Sequence, residues 1–207
     1  METLLLISVQ KLQKVKLIFT NGWAMIGLFF IHTQEIILLS VQQSWARTAQ
    51  LKEEFAKRDT RILAISVDGI ESHQGWIKDI NKTQNTNIEF PIIADPDQKI
   101  SKSYAMIHEN ASMAATVRSV YFIGPDKKIK ATITYPASTG RNFAEILRVL
   151  DSLQLTSKYS VDTPVDWEVG QDVVVSTTIK DEDIAAKFPK GYQKINSYLR
   201  YTPQPDK

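Results

Sequence analysis

The sequence has no cysteine among its 207 residues. This absence excludes disulfide bonds, thiolate metal sites and thiol catalysis by the chain itself. The chain also has no large excess of positive or negative residues, because 25 Lys and Arg nearly balance 23 Asp and Glu. The net charge of +2 therefore gives no reason to expect nucleic-acid binding. No glycine-rich phosphate loop, G-x-S-x-G or C-x-x-C motif occurs, and we expect no cofactor.

Histidines are scarce, and their spacing argues against a metal site. His32, His73 and His108 lie far apart along the chain and lack the spacing of metal ligands. Acidic pairs such as Asp95 and Asp97 fall where we predict a turn. We therefore expect neither a metal site nor acid–base catalysis by paired carboxylates.

The stretch of residues 23–41 has the apolar character of a membrane span. However, His32 and Glu35 would lie near its centre, where a polar or charged group is expensive to bury. Residues 1–20 also make a poor signal peptide, because their lysines follow the apolar run at residues 4–6 instead of preceding it. We expect no membrane span and a cytoplasmic protein.

Hydrophobic periodicity predicts alternating helices and strands. The predicted helices cover residues 47–58, 72–82, 98–106, 142–153 and 181–188. The predicted strands cover residues 61–68, 90–94, 119–123 and 129–135. Ser72 is the expected N-cap of the second helix, and the turn residues 124–127 predict a hairpin between the last two strands. This order of elements indicates a mixed α/β layered domain.

Several segments resemble the one-cysteine peroxiredoxins. Four of them are E-F-A-K-R-D-T-R-I-L-A-I-S-V-D (54–68), H-Q-G-W-I-K-D-I-N (73–81), F-P-I-I-A-D (90–95) and T-V-R-S-V-Y-F-I-G-P-D-K-K-I-K (116–130). Three more resemble the one-cysteine branch in particular: Y-P-A-S-T-G-R-N-F-A-E-I-L-R-V-L-D-S-L-Q-L-T (135–156), T-P-V-D-W (163–167) and L-R-Y-T-P-Q-P (199–205). The resemblance implies a thioredoxin-like α/β sandwich over residues 1–134 and a small C-terminal domain over residues 135–207. It also implies a homodimer.

The resemblance implies a thiol peroxidase that reduces hydrogen peroxide and organic hydroperoxides with electrons from an external thiol. The family's single cysteine lies at the start of a helix, in a T-P-V-C motif, where the helix end and an arginine favour the thiolate. Arg118 in T-V-R-S-V matches the family's catalytic arginine; without the resemblance it would be interpreted as a surface cation at a strand start. Arg141 in T-G-R-N is either an arginine that contacts the catalytic residues without touching the substrate or a surface residue at a helix start.

The sequence departs from the family where the cysteine belongs. Counting back from R-T-A-Q-L (47–51) places Leu38, Leu39, Ser40 and Val41 at the T-P-V-C motif. Valine has no ionisable group and cannot attack a peroxide. Ser40 is no substitute, because a hydroxyl without a neighbouring base is a weak nucleophile and has no useful redox chemistry. The chain as written is therefore predicted to be inactive.

The genetic code offers an explanation for this departure. Residues 32–46, read from the third base of each permitted codon, can spell H-P-G-D-Y-T-P-V-C-T-T-E-L-G. Residues 14–28 can spell G-K-I-D-F-H-E-W-L-G-N-D-W-A in the same frame. We therefore expect that about residues 8–46 are read out of frame and pack poorly, and that the underlying gene encodes an active enzyme. The alternative is a non-catalytic protein that acts as a dimer partner.

Overall fold

The computed structural model describes residues 23–28, 39–104, 118–136 and 138–207, and the chain divides into two compact units, Met1–Arg141 and Asn142–Lys207. The helices within these ranges are α1 (Leu39–Gln50), α2 (Lys52–Lys57), α3 (Ile70–Thr83), α4 (Lys99–Ser103), α5 (Phe143–Tyr159) and α6 (Asp181–Lys187). The strands are β1 (Trp23–Leu28), β2 (Thr60–Ser66), β3 (Ile92–Ala94), β4 (Arg118–Ile123), β5 (Ile129–Tyr135), β6 (Val161–Asp162), β7 (Val173–Val175), β8 (Gln193–Lys194) and β9 (Arg200–Thr202).

The first unit is built on a five-stranded mixed sheet with the order β3-β2-β1-β4-β5. Strands β1, β2 and β3 run parallel, while β4 pairs antiparallel with both β1 and β5. All six residues of β4 and six of the seven in β2 are buried, whereas the edge strand β5 alternates between exposed and half-buried residues. This alternation is expected of an antiparallel strand with one solvated face. The sheet confirms the predicted α/β architecture.

The predicted hairpin between β4 and β5 is confirmed. The amide of Lys127 donates to the carbonyl of Gly124 at 2.9 Å, and the amide of Gly124 donates to the carbonyl of Lys128 at 2.9 Å. Lys127 has a φ of 62°, the left-handed region that favours glycine. The turn sets the register in which Arg118, at the start of β4, lies opposite Tyr135 at the end of β5.

Two predicted helix features are wrong. Helix α3 begins at Ile70 with Gly69 as its N-cap, so Ser72 lies inside the first turn and does not cap it. Gly69 already has the extended backbone that an N-cap needs, with φ −76° and ψ 166°. The single helix predicted over residues 47–58 is instead two helices, α1 and α2, which are separated at Leu51.

The segment suspected of being out of frame contributes to the core of the first unit. Trp45 and Ala46 are 0% and 2% exposed and pack in a cluster with Ala64, Ile80 and Ile88. The expectation of poor packing is therefore wrong for residues 42–46, most of which are buried. Residues 23–28 form the central strand β1, and residues 8–22 and 29–38 lie outside the described residues.

The second unit has a four-stranded antiparallel sheet with the order β6-β7-β9-β8. Its core is a cluster of buried side chains from α5, α6, β6 and β7 and the loops between them: Leu155, Val161, Trp167, Val173, Val175, Ile179, Ile184 and Phe188. The sequence did not predict this sheet, because strands of two or three residues are too short to show a periodic pattern. Whether this unit packs across a dimer stays a prediction.

Candidate functional site

The position where the family's cysteine belongs lies at a helix N-terminus. Helix α1 begins at Leu39, so Ser40 and Val41 are the next two residues of its first turn, and Leu38 lies outside the described residues. The first amides of a helix have no intrahelical acceptor, and the helix dipole places partial positive charge there. This environment favours an anion such as a thiolate at position 41, and valine supplies none.

One turn further along α1, a serine contacts an arginine from the far end of the first unit. The guanidinium Nη1 of Arg141 donates to Ser44 Oγ at 3.4 Å, and Ser44 is only 4% exposed. The sequence analysis did not select Ser44. The signal for it is the helical period, which puts residues three apart on one face and so aligns Ser44 with position 41.

Arg118 is buried at the start of β4, with an exposed fraction of 2%. Its guanidinium Nη1 donates to the carbonyl oxygen of Thr139 at 3.0 Å. Burial lowers the pKa of Arg118 from its usual value, because the charged form loses solvation. The placement differs from that of a surface cation at a strand start.

Arg141 lies close to Arg118 and is partly buried. Burial, and then the positive charge of Arg118, lower the pKa of Arg141 to about 9, while Tyr135 acts in the opposite direction. Arg141 is therefore still a cation at neutral pH. The fold thus places the guanidinium of Arg141 against Ser44 of α1, and the charge of Arg118 near enough to act on Arg141.

Asp95, Asp97 and His73 make contacts within the fold of the first unit. Asp95 accepts hydrogen bonds from the amides of Ile100 and Ser101 at the start of α4, and Asp97 forms an ion pair with Lys99. His73 packs edge-on against the ring of Trp45, which is a core side chain, with the ring centroids 6.1 Å apart. His32 and His108 lie outside the described residues.

In the parts of the chain that the structure describes, no cluster of three or more acidic and histidine side chains could hold a metal ion. Likewise, no helix in the described ranges is long and apolar enough to cross a membrane.

The chain is similar to known proteins of one family. Residues 12–132 match the AhpC/TSA family. The chain is 54% identical over 181 residues to the 1-Cys peroxiredoxin of Dictyostelium discoideum, covering 87% of this chain and 75% of that protein. It is 42% identical over 193 residues to Peroxiredoxin-6 of Gallus gallus, covering 87% of this chain and 86% of that protein.

A solved structure with a similar fold is a cysteine-to-serine mutant of the Peroxiredoxin 6 of Arenicola marina. It superposes with a TM-score of 0.79 at 35% identity, over 91% of this chain and 89% of that one. The mixed sheet flanked by helices is thus a thioredoxin-like fold. The chain belongs to the AhpC/TSA family, and within it to the one-cysteine peroxiredoxins.

Proposed function

We propose that this chain is the scaffold of a thiol peroxidase that is inactive as written, because Val41 stands in place of the reactive cysteine. The observation that carries the proposal is the environment of position 41. It lies in the first turn of α1, one turn before Ser44, and Ser44 contacts Arg141, whose pKa the charge of Arg118 lowers. Positive charge near a helix N-terminus suits a thiolate and a developing negative charge.

The chemistry would follow from a cysteine at position 41. Its thiolate would attack one peroxide oxygen, the O–O bond would break, and sulfur would be oxidised to a sulfenic acid. The second oxygen would leave as hydroxide or alkoxide and take up a proton to give water or an alcohol. An external thiol would attack the sulfenic acid, release water and form a mixed disulfide, and a second thiol would regenerate the enzyme. Arg118 would stabilise the charge that develops on the leaving oxygen.

The experiment compares peroxide consumption by two full-length proteins in the presence of dithiothreitol. One is the chain as written, and the other has residues 33–46 replaced by H-P-G-D-Y-T-P-V-C-T-T-E-L-G. We expect catalytic consumption of hydrogen peroxide by the second protein alone. The control is the same replacement with serine instead of cysteine in the motif, which has the same shape but no thiol. A folded replacement protein that fails to consume peroxide would refute the proposal.

The proposal includes an origin for Val41 in a shifted reading frame over about residues 8–46. Its support is that residues 14–28 and 32–46 can both spell family-like sequences in one alternative frame. The test is the transcript sequence across the codons for Ser8 to Arg47. An in-frame T-P-V-C-T-T-E-L-G means that the gene encodes an active enzyme. A transcript that encodes Leu38-Leu39-Ser40-Val41 refutes the frame hypothesis and leaves the chain as an inactive relative.

We also propose that the protein forms a homodimer. Strand β5 supports this, since it is an edge of the sheet among the strands that the structure describes, and Ile129 in it is 47% exposed. Sedimentation equilibrium of the chain as written, compared with that of the Ala131→Pro variant, tests whether pairing uses this edge.

The second candidate function is that of a non-catalytic partner that lowers the activity of an active relative. It needs such a dimer and predicts mixed dimers with reduced peroxidase activity. Localisation in the cytoplasm stays a prediction, and cell fractionation tests it.

A further inference from the structure

An open cleft of about 670 Å³ lies beside the C-terminal end of α1. It is bounded by the end of that helix, by α2, by the first residues of β2 and by the segment that precedes β3. Ala49 lines it about 12 Å from Val41 along the helix axis, at a rise of 1.5 Å per residue. Small-molecule sites typically have volumes of roughly 300–1,000 Å³. The cleft is therefore large enough for a ligand and separate from the position of the missing cysteine.

Much of the cleft lining is apolar. The apolar residues that contribute to it are Ala49, Ala56, Ile62, Phe90 and Pro91. Ala49 and Phe90 are half-buried and pack against the core cluster of the first unit, so the lining here is continuous with the core. A ligand with an apolar body would remove this surface from water, which is favourable. The ring of Phe90 also suits contact with an aromatic body.

Hydrogen bonds hold the wall formed by residues 87–91 in place. The amide of Ala64 donates to the carbonyl of Pro91 at 3.0 Å, which joins this segment to β2. The amide of Ile88 donates to Asn81 Oδ1 of α3 at 3.0 Å. This wall is thus positioned before a ligand binds, and a preformed wall reduces the conformational entropy that binding costs.

The charged residues of the lining leave one positive charge unbalanced. Lys52 forms an ion pair with Glu89, which also accepts a hydrogen bond from Asn87 Nδ2 at 2.9 Å. Arg61 is the one exposed residue of β2, and its guanidinium has no hydrogen-bond or ion-pair partner among the residues that the structure describes. Because Lys52 and Glu89 balance each other, Arg61 makes the cleft attractive to an anion.

The chemistry of the lining favours an aromatic monocarboxylate. A guanidinium presents two parallel N–H donors that match the two oxygens of a carboxylate. A dianion such as a phosphate monoester would bring a second negative charge close to Glu89, where like charges repel. We propose that this cleft binds a small aromatic carboxylate, with the carboxylate on Arg61 and the ring system against Phe90. The site is independent of the proposed function, since it uses neither Val41 nor Arg118.

The test is a two-dimensional NMR titration of the ¹⁵N-labelled full chain with 2-naphthoate at constant ionic strength. We expect saturable shifts of the cleft amides with a Kd of about 0.1–1 mM. Arg61→Gln removes the cation and should weaken binding roughly tenfold. Arg47→Gln removes the same charge from an exposed position of α1 outside the cleft and should leave the Kd unchanged. Acetate, which has the carboxylate but no rings, should give no saturable shifts in the same range.

A second pair of variants keeps Arg61 in place. Ala56→Glu adds a carboxylate at an exposed position of the lining and should abolish binding of 2-naphthoate. Gln74→Glu adds the same charge at an exposed position of α3 outside the cleft and should preserve binding. The proposal would be overturned by unchanged binding in both Arg61→Gln and Ala56→Glu, or by the absence of saturable shifts at the cleft. Tighter binding of 2-naphthyl phosphate than of 2-naphthoate would overturn the assignment to a monocarboxylate.

Discussion

Ser44 and Arg141 are 97 positions apart in the sequence, yet the guanidinium of Arg141 donates to Ser44 Oγ at 3.4 Å. The contact ties the second turn of α1 to the segment that follows β5. Arg141 also feels the charge of Arg118, which lowers the pKa of Arg141. The contact thus links the helix that carries position 41 to Arg141.

Removing the Ser44 hydroxyl is expected to destabilise the first unit slightly. Ser44→Ala deletes an acceptor for a partly buried cation, and the bond is long, so we expect a loss of about 1 kcal/mol in the free energy of unfolding. Urea unfolding measures it. Ser157→Ala, at an exposed position of α5, is the control for the better helix propensity of alanine. Equal effects of the two substitutions would mean that the contact adds no stability.

Trp45 is expected to be a main anchor of the core. Its side chain is 0% exposed and packs against Ala46, Ala64, Ile80 and Ile88. Trp45→Ala should lower the free energy of unfolding by about 3–5 kcal/mol, because it leaves a large cavity. Trp45→Leu, which restores the residue found in the family-like frame, should cost clearly less. Chemical denaturation of the three proteins checks the order, and a negligible loss in the alanine variant would contradict it.

The β4–β5 turn offers a stabilising substitution. Lys127 holds a φ of 62°, which an L-residue with a Cβ adopts at a cost. Lys127→Gly removes that strain from the folded state. Glycine also makes the unfolded chain more flexible, which offsets part of the effect, so we expect the free energy of unfolding to rise by up to about 1 kcal/mol. Lys128→Gly removes the same charge one residue later, outside the left-handed region, and should not stabilise. Thermal unfolding compares the two.

Acid is expected to weaken the second unit through Asp181. The hydrogen bond from Lys194, and then that from Arg200, hold the pKa of Asp181 below its usual value of 3.8. Because the folded pKa is lower than the unfolded one, the carboxylate stabilises the fold above the usual value. This contribution is lost as the pH falls through the folded value. Asp181→Asn should therefore be less stable than the unsubstituted chain at pH 7 and equal to it in strong acid.

Urea unfolding at several pH values, followed by tryptophan fluorescence, to which the buried Trp167 contributes, measures this difference. The control is Glu182→Gln in the same helical turn, where both partners of the ion pair with Lys180 are at least 75% exposed. We expect no comparable loss there, because exposed ion pairs contribute little. A difference between Asp181→Asn and the unsubstituted chain that does not change with pH would contradict the assignment to the carboxylate.

The sequence predicted the features that depend on local pattern. Strand β2, the hairpin of β4 and β5 and helix α5 all follow from periodicity and turn chemistry. Features that depend on tertiary contacts were not predictable in this way. The contact between Ser44 and Arg141 needs the fold to bring distant segments together, and the break at Leu51 has no glycine or proline to mark it.

The most direct test of the central claim is whole-protein mass spectrometry after a short exposure to one equivalent of hydrogen peroxide. It compares the chain as written with the protein that carries the restored T-P-V-C-T-T-E-L-G motif. We predict that the restored protein rapidly gains oxygen at position 41, and more slowly when it also carries Arg118→Met. The chain as written should show only slow oxidation of its methionines. Equal and slow oxidation of both folded proteins would contradict the claim that this scaffold surrounds a peroxidase site.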